Sequence, residues 1–192
     1  NLSLDGTNLP MVAGEPLQMP GGAVANWLDK RLHLQHGPID LIISADGAAD
    51  AVMNAFARAA DAFDGLLATL VEELPILRAP ANASPPLDLQ GLVAKRMHEA
   101  IRPHLYRYES GDFITPMVAV AGSVADYILD AMGGGLDRAV VNNGGDIALH
   151  LSEGTFFDIG IADDRDVCFG NFTKKASGKL AGNMPLKGQI RL

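Results

Sequence analysis

Apolar residues recur at helical spacing in three parts of the chain. Residues 48–71 carry an apolar stripe with aspartates between its members, which predicts a long amphipathic helix. Residues 92–101 predict a second helix, which Pro103 ends because proline lacks the N–H that a helix interior needs. A third helix is predicted over 117–132, where the glycines that follow permit the positive φ of a helix end.

Short apolar runs between turn signals predict the strands. Residues 32–35 and 39–45 flank a Gly-Pro turn and predict a hairpin. Residues 138–142, 146–152 and 155–161 are joined by connections too short for a crossover, so we expect them to pair as an antiparallel meander.

Two further stretches complete the fold class. Residues 189–192 predict a strand, whereas 74–89 contain four prolines and predict a loop. The chain is therefore expected to be an α+β protein, with an antiparallel sheet backed by the helices at 48–71 and 117–132.

Length and composition predict one domain. The chain has 192 residues, of which 48% are hydrophobic and 20% charged, and this size is sufficient to bury one core. Residues 1–22 show neither helical nor strand periodicity and predict an irregular N-terminal arm or a tail that is not native. Residues 23–192 are expected to form a single domain that lacks its C-terminal end.

The charge and the single cysteine narrow the class of protein. A net charge of −8 argues against nucleic acid and anionic membranes as partners, because binding to both relies on an excess of lysine and arginine. Cys168 has no partner for an internal disulfide, and no apolar run reaches the ~20 residues that span a bilayer. We therefore expect a cytoplasmic protein, and a homo-oligomer is compatible with the sequence.

Two neighbouring elements carry the candidate chemistry. Thr115 is placed to cap the third helix with its hydroxyl and Pro116 suits its first position. The backbone N–H groups that follow are open either to water, as at most helix starts, or to an anion such as phosphate. After the next strand, residues 142–145 form an Asn-Asn-Gly-Gly turn followed by Asp146. That turn is either a tight hairpin in which Asp146 accepts hydrogen bonds from turn amides, or a place where a ligand approaches the backbone.

Together the two elements resemble a known family. Residues 120–126 match the Ala-Lys-Gly-x-x-x-Asp helix of the ApbE-like superfamily of FAD:protein FMN transferases, except that Ala121 stands at the position of the lysine. Residues 142–147 match the Asn-x-Gly-Gly-Asp-Ile turn of the same superfamily. The Pro-Met-x-Ala-Val-Ala-Gly motif at 116–122 is similar to that of a smaller, functionally uncharacterised branch, and the order of motifs agrees from about residue 31 to 161.

The resemblance implies a T-fold-like architecture and a phosphorylated ligand. FAD or FMN would be the cofactor, and Asp126 would be a structural acid of the motif. The ligand-binding residues that the resemblance implies are Thr115, Pro116, Met117, Gly122, Asn142, Asn143, Gly144, Gly145 and Asp146. We expect the helix start and the turn to border one cleft, and Asp126 to be mostly buried.

Two alternatives remain open. The resemblance also implies a magnesium-dependent FMN transferase, but only in a longer native chain, because a C-terminal segment of the transferases supplies an aspartate and a threonine to the metal site. Here Val120 would offer one backbone carbonyl, so no complete metal site and no catalytic residue is assigned. The second alternative is a structural or assembly protein.

Overall fold

The computed structural model describes residues 16–81, 89–107 and 113–157, and the backbone of three short strands further along the chain. Among these residues one sheet has seven strands, all antiparallel, in the order β1-β2-β3-β4-β5-β6-β9. Its strands are β1 Leu17–Gln18, β2 Val24–Leu28, β3 Arg31–His36, β4 Ile39–Gly47, β5 Leu136–Asn143, β6 Asp146–Leu151 and β9 Gly188–Arg191. A separate pair joins β7 Ile159–Gly160 to β8 Lys175–Ala176.

The helices lie between β4 and β5 in the chain. They are α1 Ala49–Phe63, α2 Leu66–Glu72, α3 Leu74–Leu77, α4 Leu92–Ile101 and α5 Val120–Met132, with 3₁₀ helices at Arg102–Arg107 and Pro116–Ala119. Helices α1 and α5 pack against each other, α1 covers β3 and β4, and α5 covers β5 and β6. The helix α4 packs on α5 and on both 3₁₀ helices.

The core lies between the sheet and helices α1 and α5. Alternate residues of β3 and β4 point toward these helices, as the period of two in a strand requires. The fully buried members of this layer include Leu32, Leu34, Leu41, Ile43, Phe56, Phe63, Ile128 and Met132. Burial of each such side chain stabilises the fold by about 1.5–3 kcal/mol. The helix start and the hairpin of the candidate site therefore belong to elements that are packed into this core.

The structure confirms the predicted α+β class, an antiparallel sheet backed by helices. The hairpin of β3 and β4 and the helix α4 lie within one or two residues of the predicted bounds. The strands β5 and β6 also form where they were predicted.

Three details of the prediction were wrong. The long helix breaks at Gly65, whose φ of 81° is left-handed, so α1 and α2 are separate helices. The stretch predicted as a loop begins with α3. The meander does not continue through 155–161, because 155–157 form no strand and Ile159–Gly160 pairs with β8, while β6 pairs with β9 instead.

The N-terminal part of the described chain forms a hairpin that sequence patterns did not indicate. Strand β1 lies inside the stretch predicted to be irregular, and β2 follows it. The carboxylate of Asp64, just after α1, accepts hydrogen bonds from the N–H groups of Gly21 (2.7 Å) and Ala23 (3.4 Å). A distant carboxylate thus fixes this hairpin, which local periodicity does not reveal.

A candidate ligand site at a helix start and a hairpin turn

The turn between β5 and β6 depends on its two glycines. Gly144 and Gly145 have φ values of 60° and 105°, which side chains other than glycine rarely adopt. The Asn142 side-chain oxygen accepts a hydrogen bond from the Gly145 N–H at 2.9 Å and closes the turn. Apart from its chain neighbours, no atom of the described residues lies within 4 Å of where a Cβ would stand on either glycine. The glycines therefore serve the backbone conformation, and no described residue fills the space above the turn.

Asn143 fastens the turn to the first turn of α5. Its side chain is buried, with 8% exposed, and its Nδ2 donates a hydrogen bond to the Ala121 carbonyl at 3.0 Å. Because α5 also packs on β5 and β6, the start of the helix and the hairpin turn are neighbours. The structure thus brings together the two elements that the sequence singled out.

The start of α5 differs from the predicted one. Thr115 is extended and its side chain makes no capping hydrogen bond, so the predicted hydroxyl cap was wrong. Pro116 instead opens a 3₁₀ helix, in which the N–H of Val118 donates to the Thr115 carbonyl at 3.3 Å and the N–H of Val120 donates to that of Met117. The tighter turn satisfies backbone groups that an α-helical start would leave free. The N–H group of Met117 comes before these two donors in the chain and takes part in neither bond.

The remaining predicted site residues differ in their access to solvent. Thr115, Met117 and Asp146 are half-buried, whereas Pro116 and Gly122 are buried. The side chains of Asn142 and Asn143 each hold the turn in place through one of their atoms. These two asparagines therefore shape the turn, whether or not they also contact a ligand.

Asp126 is half-buried, on the same helix as Gly122 and one turn after it. The sequence predicted that it would be mostly buried, and its burial agrees with this. It also takes part in an interaction within the protein. Its contribution to the fold can therefore be measured by substitution.

Two kinds of feature are absent from the described part of the chain. Within the described ranges, no three or more His, Cys, Asp or Glu side chains are grouped so that they could hold a metal ion. The helices of these ranges are all too short or too polar to cross a bilayer.

A cavity of about 310 Å³ lies elsewhere, between α1, α2, α4 and α5. Asp61, Asp64 and Glu73 line it together with Tyr127. Asp64 and Glu73 already accept hydrogen bonds from backbone N–H groups, and three carboxylates would repel a phosphate. We therefore place the candidate anion site at the helix start and hairpin turn, not in this cavity.

Sequence analysis gave no role to His98, although the structure makes it unusual. Its side chain is 2% exposed, and neither ring nitrogen has a hydrogen-bond partner among the described residues. Buried polar groups in proteins are nearly always paired. The helical periodicity placed His98 on a helix, but its burial depends on the tertiary packing of α4.

Comparison with known proteins gives one family. A family model described as AbpE bacteria matches residues 25–185, which is most of the chain. That description states neither a ligand nor an activity, so it leaves the predicted resemblance to the ApbE-like superfamily as a prediction. No curated protein matches the chain.

Proposed function

The chain belongs to the AbpE bacteria family, and from the geometry of its helix start and hairpin we propose that it binds a flavin nucleotide or a similar phosphorylated small molecule there. The site would consist of the 3₁₀ helix at Pro116–Ala119, the first turn of α5, and the turn at 142–146. The binding residues are those that the sequence predicted, with Asn142 and Asn143 acting mainly through the turn that they hold.

One observation carries this proposal, the hydrogen bond from Asn143 Nδ2 to the Ala121 carbonyl. It places a glycine turn, which no described residue covers, beside the start of a helix. A helix start attracts anions through the positive end of its dipole. Neither the 3₁₀ helix nor α5 carries an acidic residue in its first turn, so no carboxylate from those turns competes with a phosphate.

The two glycines support the second half of the proposal. A flat ring or a ribose approaches a backbone most closely where no Cβ projects, and no described residue packs on either turn glycine. Asp146, half-buried at the start of β6, would offer a carboxylate to ring or ribose hydroxyl groups. The phosphate would then lie at the helix start and the rest of the ligand over the turn.

Thermal unfolding with added ligands tests the proposal. We expect FMN or FAD at a hundred times its dissociation constant to stabilise the fold by ~2.7 kcal/mol. For a chain of this size such a gain raises the melting temperature by roughly 5–10 °C. Riboflavin and inorganic phosphate, each with and without Mg²⁺, are the controls for the ring and the phosphate alone. The absence of any shift with FMN, FAD or ATP would contradict the proposal.

The other predictions from sequence remain proposals. A magnesium-dependent FMN transferase and a structural or assembly protein remain the alternatives. A cytoplasmic location is proposed from the single cysteine alone.

A further inference from the structure

His98 lies on the buried face of α4, together with Ala94, Met97 and Ile101. The other members of that face are apolar and fill space, as expected for an amphipathic helix. His98 is as buried as they are, yet both of its ring nitrogens lack hydrogen-bond partners among the described residues. In the unfolded chain the same nitrogens would bond to water, and a buried imidazole that gains no partner in exchange costs stability. Packing alone does not explain a histidine at this position.

The elements that pack on α4 connect this residue to the proposed site. In the described part of the chain they are α5 and the 3₁₀ helices at Arg102–Arg107 and Pro116–Ala119. The last of these is also the segment that opens the proposed site. It has four residues and no side-chain cap, and its Val118 is 55% exposed. The turn lies against α4 and reaches solvent at Val118, so a shift of the turn would open its contact with α4 to a ligand.

One basic side chain of α4, that of Arg96, is already paired with a carboxylate. Arg96, two residues before His98, forms an ion pair with Asp130 of α5 at 2.7 Å. This pair ties α4 to α5 and leaves Arg96 less available to a phosphate. A neutral imidazole carries one N–H donor, and charge-assisted hydrogen bonds to phosphate oxygens are stronger than neutral ones.

We propose that His98 is a ligand-recognition residue, whose ring N–H donates a hydrogen bond to a phosphate oxygen of the bound nucleotide when the Pro116–Ala119 turn shifts. This inference rests on the proposed function. It explains why a residue that destabilises the empty protein occupies an otherwise apolar face. It also assigns the phosphate a side-chain donor in addition to the backbone N–H groups of the helix start.

Four proteins test this inference: the wild type, His98→Leu, His98→Gln and, as a matched control on the same buried face, Met97→Leu. The first measurement is urea unfolding without ligand. We expect the unfolding midpoint of His98→Leu to equal or exceed that of the wild type, because an unpaired polar group is removed. A midpoint well below those of both wild type and Met97→Leu would show that the imidazole has partners in the empty fold, which overturns the inference.

The second measurement is titration with FMN and with riboflavin, which has the same ring but no phosphate. We expect His98→Leu to weaken FMN binding about tenfold or more and to leave riboflavin binding unchanged, since one charge-assisted hydrogen bond is lost. Met97→Leu should change neither. His98→Gln keeps an N–H donor and should lie between Leu and wild type, which also covers the case in which His98→Leu does not fold.

The outcomes separate the two proposals. If the wild type binds no FMN, the proposed function fails and this inference fails with it. If the wild type binds FMN and the His98 variants bind it equally well, the proposed function stands and only the role of His98 is refuted.

Discussion

The starts of α4 and α5 are built differently, although neither helix carries an acidic residue in its first turn. At α4, the carboxylate of Glu73 accepts hydrogen bonds from the N–H groups of Gln90 and Gly91, the latter at 3.1 and 3.2 Å. At α5, a 3₁₀ turn uses the early N–H groups locally, and no side chain caps the helix.

The difference teaches what an open helix start means in this molecule. A helix start has a positive partial charge. At α4 the protein supplies a negative group for it, the carboxylate of Glu73 at the junction of α2 and α3. Among the described residues no such group caps α5, and the adjoining element is a glycine turn that none of them covers. We infer that the protein itself neutralises the start of α4 with Glu73, whereas a ligand anion would do so at the start of α5.

The largest effect should come from removing the internal anion at α4. Glu73→Ala takes a charged acceptor from two backbone N–H groups, each worth about 1.5 kcal/mol or more. We expect a loss of about 3 kcal/mol in the free energy of unfolding, measured by urea denaturation. The control is Glu72→Ala, which removes the neighbouring exposed carboxylate and should change stability by less than about 0.5 kcal/mol. Equal effects of the two substitutions would show that Glu73 does not hold the start of α4.

The acid inside α5 should have the next largest effect. Asp126→Ala is expected to cost about 2 kcal/mol, because the half-buried carboxylate leaves its partners unsatisfied when it is removed. Asp130→Ala is the comparison on the same helix. Its carboxylate is exposed and its ion pair with Arg96 is worth at most about 1 kcal/mol. Denaturation curves in which Asp126→Ala is no worse than Asp130→Ala would make the motif acid incidental to the fold.

The two turn glycines should differ from each other. Gly145 has φ of 105°, outside the left-handed region that asparagine tolerates, so Gly145→Ala is expected to cost about 1–2 kcal/mol of stability. Gly144 has φ of 60°, and Gly144→Asn should be nearly neutral because asparagine adopts that conformation. No described residue would clash with a Cβ at either position, so these costs come from the backbone conformation alone. A neutral Gly145→Ala would show that the turn adopts another conformation in solution.

The sequence predicted the elements better than their junctions. Local periodicity was sufficient for α4, for β5 and β6, and for the asparagine-glycine turn, because each is specified by residues close together in the chain. It did not predict the break at Gly65, where one left-handed glycine ends a continuous apolar stripe. Nor could it predict the pairing of β6 with β9, which depends on residues about 40 positions apart.

The same distinction holds for the candidate site. The helix start and turn were found from their motifs, but the contact that joins them runs from Asn143 to Ala121, across 22 positions. The missing Thr115 cap reflects a choice between α and 3₁₀ geometry that sequence does not decide. The burial of His98 likewise follows from what packs on α4 and not from the residues beside it.

The smallest effect on stability should come from adding an anion to the start of α5. Val118 is 55% exposed, so Val118→Asp is expected to be neutral or to stabilise the fold by about 0.3–1 kcal/mol through the helix dipole. The same carboxylate should repel a phosphate and weaken FMN binding. Val118→Asn, similar in shape but uncharged, is the control and should bind FMN as the wild type does. Unchanged FMN binding by Val118→Asp would place the phosphate elsewhere.

Titration of the ¹⁵N-labelled protein with FMN, followed by amide chemical shifts, tests the central comparison directly. The account predicts saturable shifts at the N–H groups of residues 117–122 and 142–146, with little change at residues 90–93, where Glu73 already occupies the start of α4. Shifts centred on residues 90–93, or the absence of saturable shifts at the start of α5, would contradict it.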